Sequence, residues 1–399
     1  MDQLPNEVQT LIYSYCSDEA VLYDVSRTCK SWFMCIYSEF FPFDFRHLSN
    51  RVGRLLIERT SNISYLSIDD AGSLDASTLN GLTQKSKIHT LKLGKVSVTE
   101  LDVSQCLHLC KLNVAGSKEL RYLKTASPST LEHLILDDCE NFKLTYDLVS
   151  DTPNLKTLSV KRNLWFDSSD LESFMPILTK LQVIMLQGCT SVSDMGLFHL
   201  RCCLHLRDVQ FGSSKSITDF GIKFLTQQVD NKKLSLQSLE LSGINQLTDS
   251  SLIQISNTQQ HLLRLSLSQC TQLFSDIQIV NAFTKGCCMI KDINLSFTNV
   301  DDGVVQVLID NLRLENLNLA FCKFVTDDGI GYVAKHAEQL IVINISSMQR
   351  LSHKGVKDLL RIKSLKKILL NSTQHGITKK QLENIMAQKP DSCVIDLGK

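Results

Sequence analysis

The chain has 399 residues, 43% hydrophobic and 21% charged, the balance of a folded protein and not of a disordered one. Lys plus Arg equals Asp plus Glu at 42 each, so no global field recruits nucleic acid or an anionic membrane. No apolar run approaches the roughly 18 residues of a membrane span, and Met1-Asp2-Gln3 lacks the basic start and apolar core of a signal peptide. A cytoplasmic or nuclear location is expected, and the fourteen cysteines are read as reduced thiols rather than a disulfide framework.

From the N-terminus, Leu4, Val8, Leu11, Ile12 and Tyr15 line one face of a helix. Ser17-Asp18 caps a second helix with Val21, Leu22 and Val25, and a third starts near Thr28 with Cys29, Trp32, Phe33 and Ile36 on one side. Three helices this short cannot bury a core alone, so their apolar residues should pack against another chain or the next domain. Phe43-x-Phe45 alternates as a strand, Ser49 or Asn50 caps a helix through Val52, Leu55 and Leu56, and Tyr65-Leu66-Ser67-Ile68 is the next strand. Residues 41–68 therefore read as a unit that covers one end of a larger repeated body.

The repeat itself is most regular at Leu314 to Ile330: L-x-x-L-x-L-x-x-C-x-x-V-T-D-x-G-I. The last apolar pair of each strand runs Phe43/Phe45, Leu66/Ile68, Leu91/Leu93, Leu112/Val114, Leu134/Leu136, Leu158/Val160, Ile184/Leu186, Val209/Phe211, Leu239/Leu241, Leu265/Leu267, Ile293/Leu295, Leu317/Leu319, Ile343/Ile345, Ile368/Leu370 and Ile395/Leu397. These fifteen strands stand 21 to 30 residues apart, the leucine-rich-repeat period. The spacing tightens between Leu91 and Leu134, where Leu101/Val103 and Leu123 fall midway, predicting extended chain in place of an outer helix. Between Val209 and Leu239 it lengthens, and Gln227 to Lys233 should project as a loop, either a tolerated insertion or a substrate contact.

Cys106, Cys139, Cys189, Cys270 and Cys322 all lie three residues after an apolar strand residue, a phase held elsewhere by Ser117, Asn163, Ser214, Thr298 and Thr373. Small residues there can hydrogen-bond backbone where the chain leaves the sheet. Asp194, Asp219, Asp249, Asp302 and Asp327 fall at helix starts, where the peptide dipole favours a carboxylate, so capping is expected of them and not catalysis.

Leu4, Pro5 and Glu7, Ile12 and Tyr15, then Leu22, Val25-Ser26, Cys29-Lys30 and Trp32 resemble an F-box, with departures at Cys16 and Thr28. The resemblance implies docking of Leu4, Pro5, Val8, Ile12, Leu22, Val25, Cys29 and Trp32 on the Skp-type adaptor of a cullin–RING ubiquitin ligase. The cysteine phase followed by S/T-D-x-G, at Ser193-Asp194, Thr218-Asp219 and Thr326-Asp327, resembles the cysteine-containing leucine-rich repeats of F-box proteins. The fold expected is α/β: a three-helix F-box over 1–40, then a leucine-rich-repeat solenoid over 41–399 with about 14 to 15 repeats, its curved parallel sheet inside and helices or extended segments outside. The implied role is a substrate receptor of a Skp–cullin–F-box ubiquitin ligase; the alternative is a leucine-rich-repeat scaffold or inhibitor whose partner is not ubiquitinated.

Other signals are absorbed by the repeat. Cys106-x-His108-x-Cys110 has metal-type residues, but Cys106 belongs to the cysteine phase and Leu107 and Leu109 interleave. Cys202-Cys203 and Cys287-Cys288 close outer helices as buried small residues would. With no Gly-rich phosphate loop, nucleophile elbow or independent acid–base pair, neither an enzyme nor a metal or cofactor is expected. The positions flanking the buried strand residue face the concave side. They are mostly neutral and lack the arginine cluster a phosphopeptide needs, and a small-molecule receptor would want a deep basic pocket that is not evident. Val183, Met185, Gln187, Gln210 and Glu240 are the candidate substrate-binding residues there; Asn316, Asn318 and Ala320 are expected to face the same side.

Overall fold

A three-residue strand such as Asn316-Leu317-Asn318 buries one side chain and leaves two facing away, so it is stable only when stacked on copies of itself. The computed structural model describes residues 42–59, 63–85, 87–227, 234–370, 377–388, 390 and 392–397. The helices expected over 1–40, Thr373 and most of the loop expected over 227–233 lie outside them. The described chain falls in two compact units, 1–189 and 190–399.

In the first unit the order is β1 (Pro42–His47), α1 (Asn50–Arg59), β2 (Tyr65–Asp70), α2 (Ala76–Thr83), β3 (Thr90–Leu93), β4 (Glu100–Asp102), β5 (Lys111–Asn113), β6 (Tyr122–Lys124), β7 (His133–Ile135), α3 (Tyr146–Asp151), β8 (Thr157–Ser159), α4 (Ser168–Phe174) and β9 (Val183–Met185). Strands β1, β2, β3, β5, β7, β8 and β9 pair in that order, all parallel. The register aligns Phe43, Leu66, Leu91, Leu112, Leu134, Leu158 and Ile184 in one row, and the last six are buried. Where the repeats shorten, β4 and β6 form a separate parallel ladder that pairs Leu101 with Leu123, the extended chain expected there. Two such short repeats leave too few residues for a helix between strands.

The second unit runs α5 (Asp194–Leu200), β10 (Asp208–Gly212), α6 (Asp219–Thr226), β11 (Ser238–Ser242), α7 (Asp249–Thr258), β12 (Arg264–Ser266), α8 (Ile277–Gly286), β13 (Asp292–Asn294), α9 (Asp302–Asn311), β14 (Asn316–Asn318), α10 (Asp327–His336), β15 (Val342–Asn344), α11 (His353–Leu359), β16 (Lys367–Leu369), α12 (Lys379–Gln388) and β17 (Val394–Asp396). Its strands again pair in sequence, in parallel, with Val209, Leu239, Leu265, Ile293, Leu317, Ile343, Ile368 and Ile395 in one buried row. Each buried leucine or isoleucine of these rows stabilises its unit by about 1.5–3 kcal/mol relative to exposure. All fifteen expected strands are therefore present, each in the expected phase.

Three polar ladders tie successive repeats together. In the first, the thiols of Cys106, Cys139, Cys189, Cys270 and Cys322 donate to the carbonyls of Thr83, Val114, Val160, Leu241 and Leu295, each in the preceding repeat, at 2.8 to 3.3 Å. Asn163 does the same through its side-chain amide, to Leu136 at 2.7 Å. The cysteine phase thus satisfies carbonyls that would otherwise be buried without a donor.

The second ladder is made by the aspartates. The N-caps of α6, α7 and α10 are Thr218, Thr248 and Thr326, whose hydroxyls accept from the backbone N–H two residues on. The aspartate that comes after each cap turns instead to the next repeat. Asp194 accepts from the Thr218 N–H and hydroxyl, Asp219 from those of Thr248, Asp302 from those of Thr326, and Asp327 from those of Ser352. Asp249 takes the N–H groups of Phe274, Ser275 and Asp276. Capping was the expected role; the correction is that each carboxylate holds the cap of its neighbour as well as sitting at its own helix start.

The third ladder is conformational. Two residues beyond the last strand leucine, the backbone is left-handed in successive repeats, at Gly116, Gly188 and Gly243 but also at Lys95, Asp138, Arg162, Ser213, Gln269, Phe297, Phe321 and Ser347. Glycine meets this requirement without strain, whereas for any other residue it costs roughly 1–2 kcal/mol. Phe297 and Phe321, at φ 59° and 61°, are the bulkiest of the set.

Two further expectations are corrected. Cys203 and Cys287 are buried but Cys202 and Cys288 are exposed: both pairs lie in the turns just past α5 and α8, where one member of each pair faces the core and the other faces solvent. Ala320 is buried at 5% exposure where the chain turns away from the strand, so it does not present a surface as Asn316 and Asn318 do.

Candidate recognition surface

Alternation along each strand sends the residues on either side of the buried one to the opposite, sheet-lining face. In the first unit these are rows such as Thr90, Lys111, His133, Thr157 and Val183, and Lys92, Asn113, Ile135, Ser159 and Met185. Val183 and Met185 are half-buried on either side of Ile184, beside half-buried Gln187. Ser159 beside Met185 is buried and donates to Asp137, which leaves Val183 and Met185 as the apolar groups offered to solvent on these two strands. His133 shares a 2.9 Å hydrogen bond with Thr157, and burial lowers its pKa, so the ring is neutral at physiological pH.

In the second unit Gln210 and Glu240 are register partners on β10 and β11, and Gln210 donates to Asp208 at 3.1 Å. The sheet face there forms a groove of about 400 Å³. It begins at Ser238 and Glu240 and extends to Leu369, with Asn294, Asn318 and Asn344 in its middle. The expected residue Glu240 lies at one end of this groove, and Gln210 is not among its lining residues.

The three asparagines share one geometry. Each side-chain carbonyl accepts the backbone N–H two residues on, from Ser296, Ala320 and Ser346, at 3.0 to 3.1 Å. The side-chain amide NH2 groups are what remains for the groove. Their sequence signal was the recurrence of Asn at one strand phase in three consecutive repeats, which a reading in terms of neutral surface did not separate from solvation.

Charge on these faces is paired across neighbouring strands: Lys92 with Asp69, Lys156 with Glu132, Lys291 with Glu315 and Lys367 with Asp396, at 2.5 to 2.9 Å. Such exposed pairs contribute about 0–1 kcal/mol each, and their main effect is to cancel the field locally. The groove keeps one gradient. Its charged lining residues, Glu240, Arg264 and Asp292, lie on β11 to β13, whereas those from β14 to β16 are Asn316, Leu317, Asn318, Val342, Asn344 and Leu369, with no charge.

Among the described residues, no group of three His, Cys, Asp or Glu side chains could hold a metal ion, and no helix is long and apolar enough to cross a membrane. The thiol of Cys106 donates to Thr83 and that of Cys110 lies near the His108 carbonyl at 3.5 Å. The adaptor-facing residues Leu4, Pro5, Val8, Ile12, Leu22, Val25, Cys29 and Trp32 lie outside the described residues.

Residues 1–41 match the F-box-like family model. Over 98% of its length the chain superposes on Rad7, solved in complex with Elc1 from yeast, covering 93% of that chain with a TM-score of 0.53 at 16% identity. It also superposes on TLR13, solved in complex with the single-stranded RNA ssRNA13, with a TM-score of 0.54 at 17% identity. That match covers 85% of this chain and 50% of the other. At these identities the likeness is one of fold. In this chain an F-box-like segment thus precedes a leucine-rich-repeat body of the α/β class.

Proposed function

We propose that the protein is a substrate-recognition subunit of a Skp–cullin–F-box ubiquitin ligase. The observation that carries the reading is the F-box-like match over residues 1–41 ahead of a leucine-rich-repeat body that occupies the remaining chain. Leu4, Pro5, Val8, Ile12, Leu22, Val25, Cys29 and Trp32 would be buried against a Skp-type adaptor, and through it the cullin and RING subunits. A neighbour of the same fold is itself found in complex with a partner protein, Rad7 with Elc1.

The chemistry asked of this chain is positional. Holding a target beside a ubiquitin-loaded enzyme makes a bimolecular transfer effectively intramolecular. The protein supplies no catalytic residue and needs no cofactor in this role. Substrate contacts are assigned to Val183, Met185 and Gln187 in the first unit and to Gln210 and Glu240 in the second, all on sheet-lining positions.

The test is a substrate-trapping comparison in cells. Proteins that accumulate when the gene is removed are identified by quantitative proteomics, and their capture by the intact chain is compared with capture by Met185→Arg/Gln210→Arg. The reading predicts loss of capture with unchanged adaptor binding. Equal capture by the variant would remove these residues from the recognition surface.

A further inference from the structure

The charge of the chain is balanced overall but not along its length. Residues 351–399 hold ten Lys or Arg against four Asp or Glu, so the net charge of zero divides into +6 there and −6 over residues 1–350. The field that the global count excludes is therefore present locally. Nine of the ten cations are lysine, and the stretch has no Phe, Tyr or Trp.

Six of these cations form one band. On α11, Gly355, Val356 and Leu359 are buried. At about 100° per residue, Lys354, Lys357 and Arg361 stand on the side opposite them, and all three are exposed. Lys363 and Lys366, also exposed, continue the band around the turn that returns to the sheet, and Lys367 brings it onto β16. There Lys367 is the register partner of Val342 and stands two residues before Leu369, and both of these line the groove. The band thus runs from the outer helix around the rim to the uncharged end of the groove.

Two carboxylates lie within it: Asp358 pairs with Arg361 at 3.2 Å and Asp396 with Lys367 at 2.9 Å. Beside it, α10 begins with Asp327, held by Ser352, and exposed Asp328, and ends near exposed Lys335, His336 and Glu338. On the other side α12 brings exposed Lys380 and Glu383. Among the described residues Lys354, Lys357, Lys363 and Lys366 are in no ion pair, so the charge left over in the band is positive.

We infer that the band from Lys354 to Lys367 binds an Asp- and Glu-rich tract of a polypeptide that continues into the groove. Lysine is a point charge on a flexible stem and suits a mobile run of carboxylates; a phosphopeptide calls for clustered arginines, which Arg361 alone does not supply. Single-stranded nucleic acid calls for aromatic platforms, and this stretch has none. A duplex backbone or an anionic membrane carries negative charge at every step and meets Asp358, Asp396, Glu338 and Glu383 as well, whereas a flexible chain places its acids between them. The inference rests on the receptor reading only for calling this polypeptide a ubiquitination target; the electrostatic contact stands on the band itself.

The test uses the full chain and two fluorescein-labelled peptides read by fluorescence polarisation at low salt. One carries a run of Glu and Asp beside a neutral Gly-Ser-Leu segment, and the other replaces each acid with Gln or Asn. The acidic peptide should bind at least tenfold more tightly, and added salt should weaken it. Lys363→Glu/Lys366→Glu and, separately, Lys354→Gln/Lys357→Gln should each weaken it, the first at least tenfold, with unchanged melting temperatures because these side chains are exposed. Lys118→Glu/Lys215→Glu, the same change of charge elsewhere, should leave it unaltered. Equal binding of the two peptides, equal loss in the Lys118/Lys215 variant, or full binding by both band variants would overturn the assignment. So would a DNA hairpin or phosphatidylserine vesicles that displace the peptide at a lower concentration of negative charge than the unlabelled acidic peptide does. Adaptor binding is measured on the same preparations: its absence in the wild-type chain would count against the receptor reading and leave the peptide result intact.

Discussion

Asp302 holds Thr326 twice, its two carboxylate oxygens accepting from the threonine backbone N–H at 2.8 Å and from the hydroxyl at 2.6 Å. Thr326 is at the same time the N-cap of α10, its hydroxyl accepting from Asp328. The start of one outer helix is therefore fixed by the start of the previous one. Repeated at Asp194, Asp219 and Asp327, this contact sets the rise between repeats on the helical side as the strand pairing does on the sheet side.

Asp302→Ala should destabilise the second unit by about 2 kcal/mol, the scale of a charge-assisted hydrogen bond whose loss leaves a donor unsatisfied. Thr326→Val should cost about 1–2 kcal/mol as a lost cap. Because the two residues share the interaction, the double variant should cost less than the sum of the singles. Urea denaturation of the four proteins, with hydrogen exchange to localise the effect to α9 and α10, measures the coupling. Additive effects would show that the pair does not act as a unit.

Gly329 explains the glycine of the S/T-D-x-G pattern. A Cβ at Gly329 would collide with the Asp302 carboxylate, so the glycine makes room for the preceding repeat's aspartate. Gly331, two residues along the same helix, has nothing within 4 Å of such a Cβ. Gly329→Ala should therefore destabilise by about 1–3 kcal/mol, whereas Gly331→Ala should stabilise by about 0.5–1 kcal/mol as an ordinary helical replacement. Thermal denaturation of the two variants checks the opposite signs.

The cysteine ladder predicts both reactivity and alkaline sensitivity. Burial pushes the thiols of Cys106 and Cys139 up to about 12 and those of Cys189, Cys270 and Cys322 up to about 11. They stay protonated and unreactive in the folded protein near neutral pH, since the thiolate is the nucleophile. Of the described cysteines, exposed Cys202 and Cys288 should be alkylated first by iodoacetamide at pH 8, as peptide mass spectrometry would resolve. In the unfolded chain these thiols ionise near 9, so folding favours the neutral form. The associated stability is complete below pH 9 and is lost as pH rises through about 11 to 12. A melting temperature that falls over this window, and falls less when Cys270 is replaced by alanine, is the expected result.

The repeat architecture was legible because its strands demand one apolar residue at a fixed phase, and Leu66 to Ile395 keep that phase through spacings that vary from 21 to 30 residues. The thiol ladder was legible as a position but not as a set of bonds. Nor could Asp302 be assigned to Thr326: sequence locates an aspartate at a helix start, where the dipole already accounts for it, and only the stacking of one helix start beside the next turns its carboxylate across the repeat. The recognition surface was the least legible part. Val183, Met185, Gln187, Gln210 and Glu240 were placed on sheet-lining positions by alternation alone, which is geometry common to every repeat. The feature that distinguishes β13 to β15, asparagines whose carbonyls are already taken by backbone N–H groups, depends on backbone conformation and side-chain satisfaction that no periodicity encodes.

A receptor role stands or falls on whether the N-terminal segment holds an adaptor. The full chain is co-expressed with a Skp-type adaptor and cullin, purified by a tag on the chain, and the composition of the complex is determined by size-exclusion chromatography and mass photometry. A stoichiometric complex is expected, lost in Leu4→Ala/Pro5→Ala/Ile12→Ala while the repeat body keeps its melting temperature. An intact, folded chain that retains no adaptor would contradict the receptor role.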